Sequence, residues 1–436
     1  MHTVGLYTLG CKVSQYETEA VAEAFSEAGF ALCGFDEVCD VYVINTCTVT
    51  EESDRKSRQY IRRAIRKNPR AKVIVMGCYS ELAAEKIAKI SGVGAVIGTN
   101  GKLSAVELAR GLMTGELQAP HIAVQPLSGA DFERMTVKCA PRTRAYVKVE
   151  DGCNSKCTYC AIKEARGRVR SKPIDDVIAE VEALAESGVS EVVLTGIEVG
   201  AYGEDFGERH GLSKLLSRLD ERKSCHRIRL GSLAPELIGE HFADTVSRLS
   251  ILVPHFHVSM QSGSDKILAA MKRRYNSQTA LNNITRLRTL IKDAEFTADI
   301  MVGFPGEEEE DFLKSMEFVS EAKLLDAHVF TFSKRLGTPA SDMAGQIDEG
   351  VKRERTRRMI AHKNEARDGA LDRIVNSGRL LPSVFESFSN GVYSGHTDTF
   401  AEVRCESETD IEGELLLVRP RTHKDGVIYG DIVKNI

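Results

Sequence analysis

Two long stretches of the chain alternate short apolar, β-branched runs with amphipathic helical patterns, and that alternation commits each stretch to a parallel sheet covered by helices. In residues 1 to about 115 the strand-like runs are Val4–Leu9, Val41–Asn45, Lys72–Met76 and Ala95–Ile97. Helical spacing fills the gaps: Ser14–Ala28 ends at Gly29, Thr50–Lys67 is stopped by Pro69, and Ser80–Ile90 and Ala105–Met113 follow. This order predicts a doubly wound parallel sheet, in which ligands bind at the edge formed by the carboxyl ends of the strands. From about 144 to 335 the alternation resumes, with candidate strands Ala145–Glu150, Glu191–Leu194, Arg227–Leu230, Phe256–Ser259, Phe296–Met301 and Ala327–Phe332. An eight-fold barrel takes about 250 residues. Six units in about 190 residues predict a partial (β/α)6 barrel instead.

Between the two blocks, residues 114–143 carry Pro120, Pro126 and Pro141 in a loose polar stretch and read as a linker. Beyond the barrel, 350–376 has the pattern of a basic helix. Residues 378–436 hold short β-rich runs with no helix signal, which predicts a small antiparallel barrel or sandwich. The expected division is therefore 1–115, a linker at 116–138, a barrel at 139–370 and an all-β domain at 371–436.

The chain has 11 cysteines in 436 residues, too sparse for a disulfide scaffold and odd in number. No apolar run approaches the 18–20 residues of a spanning helix, so no membrane partner is expected. The cytosol is the expected location, and there cysteines more often bind metals or do chemistry than pair. Three of them form Cys153-Asn-Ser-Lys-Cys157-Thr-Tyr-Cys160, just after the first predicted barrel strand. Soft thiolates bind iron–sulfur clusters, zinc or copper(I). Zinc ribbons use two Cys-x2-Cys pairs, and no second pair is present. Three ligands on a four-iron cluster leave one iron open for chemistry.

Cys11, Cys47 and Cys78 are far apart in sequence, yet each follows a predicted strand of the first block. Either they converge on one cluster at the shared sheet edge or they are ordinary buried strand-end cysteines. The residues alone leave both readings open. Cys33, Cys39, Cys139, Cys225 and Cys405 belong to no motif and are read as structural or incidental, with no need of a disulfide partner.

The Cys153/Cys157/Cys160 motif, with Tyr159 before its third cysteine, resembles the signature of the radical S-adenosylmethionine superfamily. The resemblance continues in order through Thr195-Gly-Ile-Glu198 and Asp299-Ile-Met-Val-Gly-Phe-Pro-Gly-Glu307. Within that superfamily, three segments are similar to the cysteine motifs of the methylthiotransferases: Gly10-Cys11-Lys-Val-Ser-Gln-Tyr-Glu-Thr-Glu19, Asn45-Thr-Cys47-Thr-Val-Thr50 and Gly77-Cys78-Tyr79. Arg166-Gly-Arg-Val-Arg-Ser171, His257–Ser264, Met271-Lys-Arg-Arg-Tyr275 and Phe332–Pro339 extend the match. Ser394-Gly-His-Thr-Asp398 lies in a region that looks like the small TRAM-like RNA-binding domain of these enzymes. The form of the first cysteine motif points to the branch that acts on N6-threonylcarbamoyladenosine at position 37 of tRNA.

The resemblance implies two [4Fe-4S] clusters, one on Cys153, Cys157 and Cys160 and an auxiliary one on Cys11, Cys47 and Cys78. It places S-adenosyl-L-methionine near Tyr159, Thr195, Gly196, Glu198, Ser232, Gln261 and Gly303. One molecule methylates sulfur held at the auxiliary cluster. A second gives a 5′-deoxyadenosyl radical, which takes hydrogen from C2 of the adenine before the methylthio group transfers. Implied partners are the tRNA anticodon loop and an electron donor such as flavodoxin or ferredoxin. Departures from the pattern are Ser14 for asparagine, Lys163-Glu164 for Pro-Tyr, and Gly231 before Ser232. None of them removes a ligand.

The net charge of −5 hides basic stretches. Lys/Arg outnumber Asp/Glu nine to three in 51–72, eleven to three in 134–172 and nine to four in 350–380. Together they suggest a path for tRNA phosphates. The rivals are methylthiolation of isopentenyladenosine or of a ribosomal-protein aspartate, an RNA-binding protein with a structural cluster and no turnover, and a zinc protein.

Overall fold

The computed structural model describes residues 1–138 and 143–435, and its first block is one six-stranded parallel sheet. The strands are β1 (Thr3–Thr8), β2 (Ala31–Cys33), β3 (Val41–Thr46), β4 (Lys72–Gly77), β5 (Val93–Ile97) and β6 (His121–Ala123), in the order β2-β1-β3-β4-β5-β6. β3 and β5 are buried along their whole length. That explains why they read as continuous apolar runs rather than alternating ones. Helices α1 (Lys12–Glu27), α2 (Glu51–Lys67), α3 (Cys78–Ala88) and α4 (Ala105–Thr114) make the crossovers. Thr50 caps α2 by accepting the Ser53 N–H, and Glu51, Glu52 and Asp54 fill its first turn, where the helix dipole favours negative charge.

Two strands escape the sequence pattern, being three residues each and too short to show a period. β2 edges the sheet beside β1, and β6 forms the opposite edge beside β5, inside the segment that reads as linker. Cys33 and Cys39, read as structural or incidental with no need of a disulfide partner, are joined as a disulfide across the turn after β2, six residues apart, a pairing no sequence motif marks. Cys139 and Pro141 lie outside the described residues.

The second block is an arc of six parallel strand–helix units. Arg144–Lys148, Glu191–Thr195 and Ile228–Leu230 pair in that order. Ser232–Leu233 continues the third strand and pairs with His255–Gln261, followed by Glu295–Val302 and Asp326–Thr331. Val147, Val192, Leu230, Val258 and Ile300 point outward into the main core. Strand alternation therefore turns Lys148, Glu191, Arg229, His257 and Asp299 into the lumen.

The first block lies along the open side of this arc. The Tyr16 hydroxyl on α1 is 2.6 Å from the Met135 carbonyl and 3.0 Å from Glu180. Across the gap, Arg335, just past the last barrel strand, pairs with Asp54 of α2 at 2.8 Å.

Helix Glu349–Asn376 serves two units. Arg355 in its first half bonds Glu307 at 2.7 Å, while Leu371 and Ile374 in its last turns sit in the core of the C-terminal domain. That domain is a closed five-stranded barrel. It departs from the expected antiparallel pattern in one place: Glu402–Glu406 runs parallel to Val427–Asn435. Phe400 docks it under the lumen, stacked on His255 (4.9 Å) and His396 (4.7 Å) and faced by the guanidinium groups of Arg229 (4.9 Å) and Arg144 (5.4 Å).

Candidate active site between two cysteine trios

The loop trio hangs between the short strand Glu150–Asp151 and the short helix Ile162–Arg166. An antiparallel two-residue ladder, Glu150 with Ser171 and Asp151 with Arg170, pins the loop's start, and the Cys153 N–H bonds the Gly167 carbonyl at 3.0 Å. The sulfurs face hydrogen-bond donors: Ser155 N–H to Cys153 (3.4 Å), Ile162 N–H to Cys160 (3.5 Å) and Arg273 Nη1 to Cys157 (3.3 Å). Arg273 belongs to the Met271–Tyr275 motif, and sequence reasoning gave it no role. Burial pushes the Cys160 thiol up to about 12, with Cys157 and Cys153 adding to the rise, so taking up a metal there releases protons. Tyr159 packs edge-on against Phe304 at 6.4 Å.

Thr195, Ser232, Gln261 and Gly303 stand at or just past the carboxyl ends of four successive strands, on one rim of the arc. Gly196 is a close approach: a Cβ there would lie 2.7 Å from Glu150 Oε2. That same oxygen accepts the Glu198 N–H at 2.8 Å, and Glu198 Oε1 accepts the Ala234 N–H at 3.0 Å. Glu150 Oε1 is buried and, among the described residues, without a partner. Burial raises the Glu198 carboxyl to about 7 and holds Glu150 well above the usual range. Two desolvated carboxyls, one with an unmet acceptor, are a fitting seat for an ammonium group. Glu150 was missed by sequence reasoning; its place just before the cysteine loop was the available signal. Gly303 is held differently. Its N–H goes to Glu307 at 2.8 Å, and the space a Cβ would need is filled by the Lys352 side chain.

Cys11, Cys47 and Cys78 follow β1, β3 and β4, three neighbouring strands of the sheet. Cys11 caps α1 and Cys78 opens α3, so two of the three thiols sit at helix N-termini. Gly10 lies against Cys47: a Cβ on it would be 3.2 Å from the Cys47 Cβ. Gly77 turns β4 into α3 at φ +103°, and any side chain there would strike Asn45 Oδ1 at 2.4 Å. Burial raises Cys47, and raises Cys78 to about 11, with Cys11 contributing to both shifts. Among the described residues no three His, Cys, Asp or Glu side chains converge on a point that one metal ion could occupy. A cube of iron and sulfur takes more room than an ion, and three soft thiolates with an open corner are its donor set.

Between the trios runs a fully buried charge network. Arg166 Nε donates to Cys78 Sγ (3.2 Å), and its Nη1 lies 2.9 Å from both Glu17 and Asp151. Lys148 reaches Glu17 (3.0 Å) and Asp151 (3.2 Å), and Lys102 reaches Glu17 (3.2 Å). Burial pushes Asp151 up, but Arg166 and Lys148 outweigh it and hold the carboxyl well below its usual range. This corrects one expectation. Lys148, Arg166, Arg170 and Lys172 of the basic stretch 134–172 are buried in internal ion pairs and cannot track phosphates. On α2, by contrast, Arg62, Arg66 and Lys67 are exposed.

The lumen itself is polar. Asp299 lies 3.2 Å from both His257 and His328, and Glu191 at the base pairs with Arg144, Arg227 and Arg229 at 2.6–2.9 Å. Lys12, next to Cys11, is solvent-accessible yet hemmed in: desolvation, then Arg229 and Arg144, lower its ammonium.

The chain matches the radical SAM superfamily over residues 147–319 and an uncharacterised protein family, UPF0004, over residues 3–98. It is 38% identical to the threonylcarbamoyladenosine tRNA methylthiotransferase MtaB of Bacillus subtilis, covering 96% of this chain and 94% of that one. The MtaB of Thermotoga maritima is 35% identical, at 98% and 96% coverage. A tRNA-2-methylthio-N6-dimethylallyladenosine synthase of Acetivibrio thermocellus is 30% identical, at 98% and 90%. Among solved structures, the radical S-adenosylmethionine methyltransferase TsrM of Kitasatospora setae shares the fold, with a TM-score of 0.56 and 17% identity over 78% of this chain and 77% of that one.

Proposed function

Since the chain belongs to the radical S-adenosylmethionine tRNA methylthiotransferase family, we infer that it transfers a methylthio group to C2 of N6-threonylcarbamoyladenosine at position 37 of tRNA. The observation that carries the reading is the near full-length match to two threonylcarbamoyladenosine enzymes in a chain with two cysteine trios joined through one buried seam. In this reading each trio holds a [4Fe-4S] cluster. An adenine C2–H has no useful acidity, so acid–base chemistry does not serve, and bound S-adenosylmethionine and clusters supply the one-electron chemistry, the methyl group and the sulfur.

The chain's own residues bind and orient. Glu198 and Glu150 receive the ammonium of S-adenosylmethionine, with Thr195 and Gly196 on the same rim. Tyr159, braced edge-on by the buried Phe304, walls the pocket, and Ser232 and Gln261 line the neighbouring strand ends. The target base leaves the anticodon-loop stack to enter the lumen, the usual route for enzymes that act on a base. Exposed cations of α2 and of helix Glu349–Asn376 track the backbone. The site needs an electron donor of the flavodoxin or ferredoxin kind, and a tRNA substrate puts the enzyme in the cytoplasm. No helix among the described residues is long and apolar enough to cross a membrane.

The sister substrate, isopentenyladenosine, carries an apolar prenyl chain. The accessible Lys12 and the half-buried His257 make a lumen better suited to the carboxylate and hydroxyl of a threonylcarbamoyl group. Mass spectrometry of tRNA nucleosides from cells lacking the protein tests the reading. Loss of the 2-methylthio-threonylcarbamoyl nucleoside alone, restored by the wild-type chain, is expected. Loss of the isopentenyl form instead moves the enzyme to the sister branch.

A further inference from the structure

Arg166 bonds a strand-end thiol of the first block and also a carboxylate at the start of the cysteine loop. Its guanidinium is fully buried, with Nε on Cys78 Sγ at 3.2 Å and Nη1 and Nη2 on the two carboxylate oxygens of Glu17 at 2.9 and 3.2 Å. Nη1 also meets Asp151 Oδ1 at 2.9 Å. Asp151 in turn accepts the Gly152 N–H at 2.9 Å, one residue before Cys153. A single planar fork therefore spans from a strand-end thiol to the start of the cysteine loop.

Buried charged side chains surround it. Glu17 and Asp151 face Arg166, Lys102 and Lys148, all buried. At the margin Arg170 lies 3.7 Å from Asp151, Glu133 acts on Lys148, and Glu150 is buried beside Asp151. Arg166 is the cation of this set that also donates to a thiol, Cys78 Sγ.

We propose that Arg166 is a positioning residue for the auxiliary cluster: its Nε–H bond to Cys78 fixes that ligand, raises the reduction potential of the group it holds, and sets its place relative to the Cys153 loop. A hydrogen bond and a buried positive charge on a ligand sulfur stabilise the more negative, reduced state, and potentials of such clusters follow those two quantities. The proposal rests on the reading that Cys11, Cys47 and Cys78 hold a cluster.

The test uses the full chain with Cys153, Cys157 and Cys160 all changed to Ala, reconstituted anaerobically, so that only the strand-end trio can hold iron. Arg166→Gln removes both the charge and the Nε–H, and Arg166→Lys keeps the charge but loses the fork. Both are compared by redox titration followed by electron paramagnetic resonance, and by the rate of iron loss to a chelator. The expected result is a lower potential in Arg166→Gln than in Arg166→Lys, and in both lower than with Arg166. Iron loss should be faster by about 10- to 100-fold, the usual effect of an outer partner of a ligand. Equal potentials and equal loss rates across the three chains overturn the proposal. If Arg166→Gln does not fold, Arg166→Lys alone carries the comparison, and an unchanged potential there is equally decisive. If the parent with Arg166 takes up no iron while the unaltered protein does, the reading of Cys11, Cys47 and Cys78 as cluster ligands has failed, an outcome distinct from failure of Arg166.

Discussion

Cys153, Cys157 and Cys160 sit in one loop, whereas Cys11, Cys47 and Cys78 arrive from the ends of three separate strands. The loop trio gets its sulfur contacts mostly from nearby backbone, Ser155 N–H and Ile162 N–H, with Arg273 as the one distant donor. The strand-end trio depends on sheet order, on a glycine turn at Gly77, and on Arg166 reaching across from the barrel. A local motif carries its own geometry wherever it is placed. A dispersed one exists only once the fold has formed, so its integrity reports on how the two domains are joined.

The largest expected contrast separates the trios by function. Cys157→Ala should abolish both cleavage of S-adenosylmethionine and tRNA modification. Cys47→Ala should abolish methylthiolation yet still release 5′-deoxyadenosine. Chromatography of the small products, alongside nucleoside mass spectrometry, distinguishes the two losses, and identical behaviour of the two variants would erase the division of labour.

Next in size is Glu198→Gln, which should weaken S-adenosylmethionine binding by about 10- to 100-fold, the worth of a charge-assisted hydrogen bond of roughly 1.5–3 kcal/mol. The sign with pH follows from burial. With its carboxyl raised to about 7, Glu198 is largely neutral below that pH and anionic above it. Affinity for the ammonium should therefore climb as pH rises through about 7, and Glu198→Gln should flatten the climb in calorimetric titrations.

A smaller effect is expected at the C-terminal barrel. Phe400 holds a left-handed backbone conformation (φ +73°) to reach its cage of His255, His396, Arg144 and Arg229. Phe400→Ala should cost about 1–3 kcal/mol of docking. It should weaken tRNA binding while leaving iron content intact. The smallest effect is assigned to α2: Arg66→Ala should lower the salt slope of tRNA affinity by about one without changing which nucleoside is modified.

The sequence made the architecture readable wherever elements were long enough to show a period. All six barrel strands and the four helices of the first block lie where the alternation puts them. β2 and β6 escaped because three residues carry no period, and the parallel pairing of Glu402–Glu406 with Val427–Asn435 is a long-range choice that no local pattern encodes. At the site, spacing and resemblance singled out the cysteines and Thr195, Ser232 and Gln261, which the fold places at strand ends and in the loop after Asp151. Their partners were missed. Glu17 and Arg166 stand inside matched motifs and Glu150 ends a candidate strand, yet the sequence assigned none of them a role, and the basic stretch 134–172 looked like an RNA contact. Burial turns these charges inward, and burial is a property of the assembled fold, not of any one segment.

Whether each trio holds its own cluster is decided most directly by counting iron and sulfide in anaerobically reconstituted protein. Two four-iron clusters give about eight irons per chain in the wild type. The same account predicts about four when Cys11, Cys47 and Cys78 are changed together to Ala, and about four when Cys153, Cys157 and Cys160 are. About four irons in the wild type, undiminished by the loss of Cys11, Cys47 and Cys78, would contradict it.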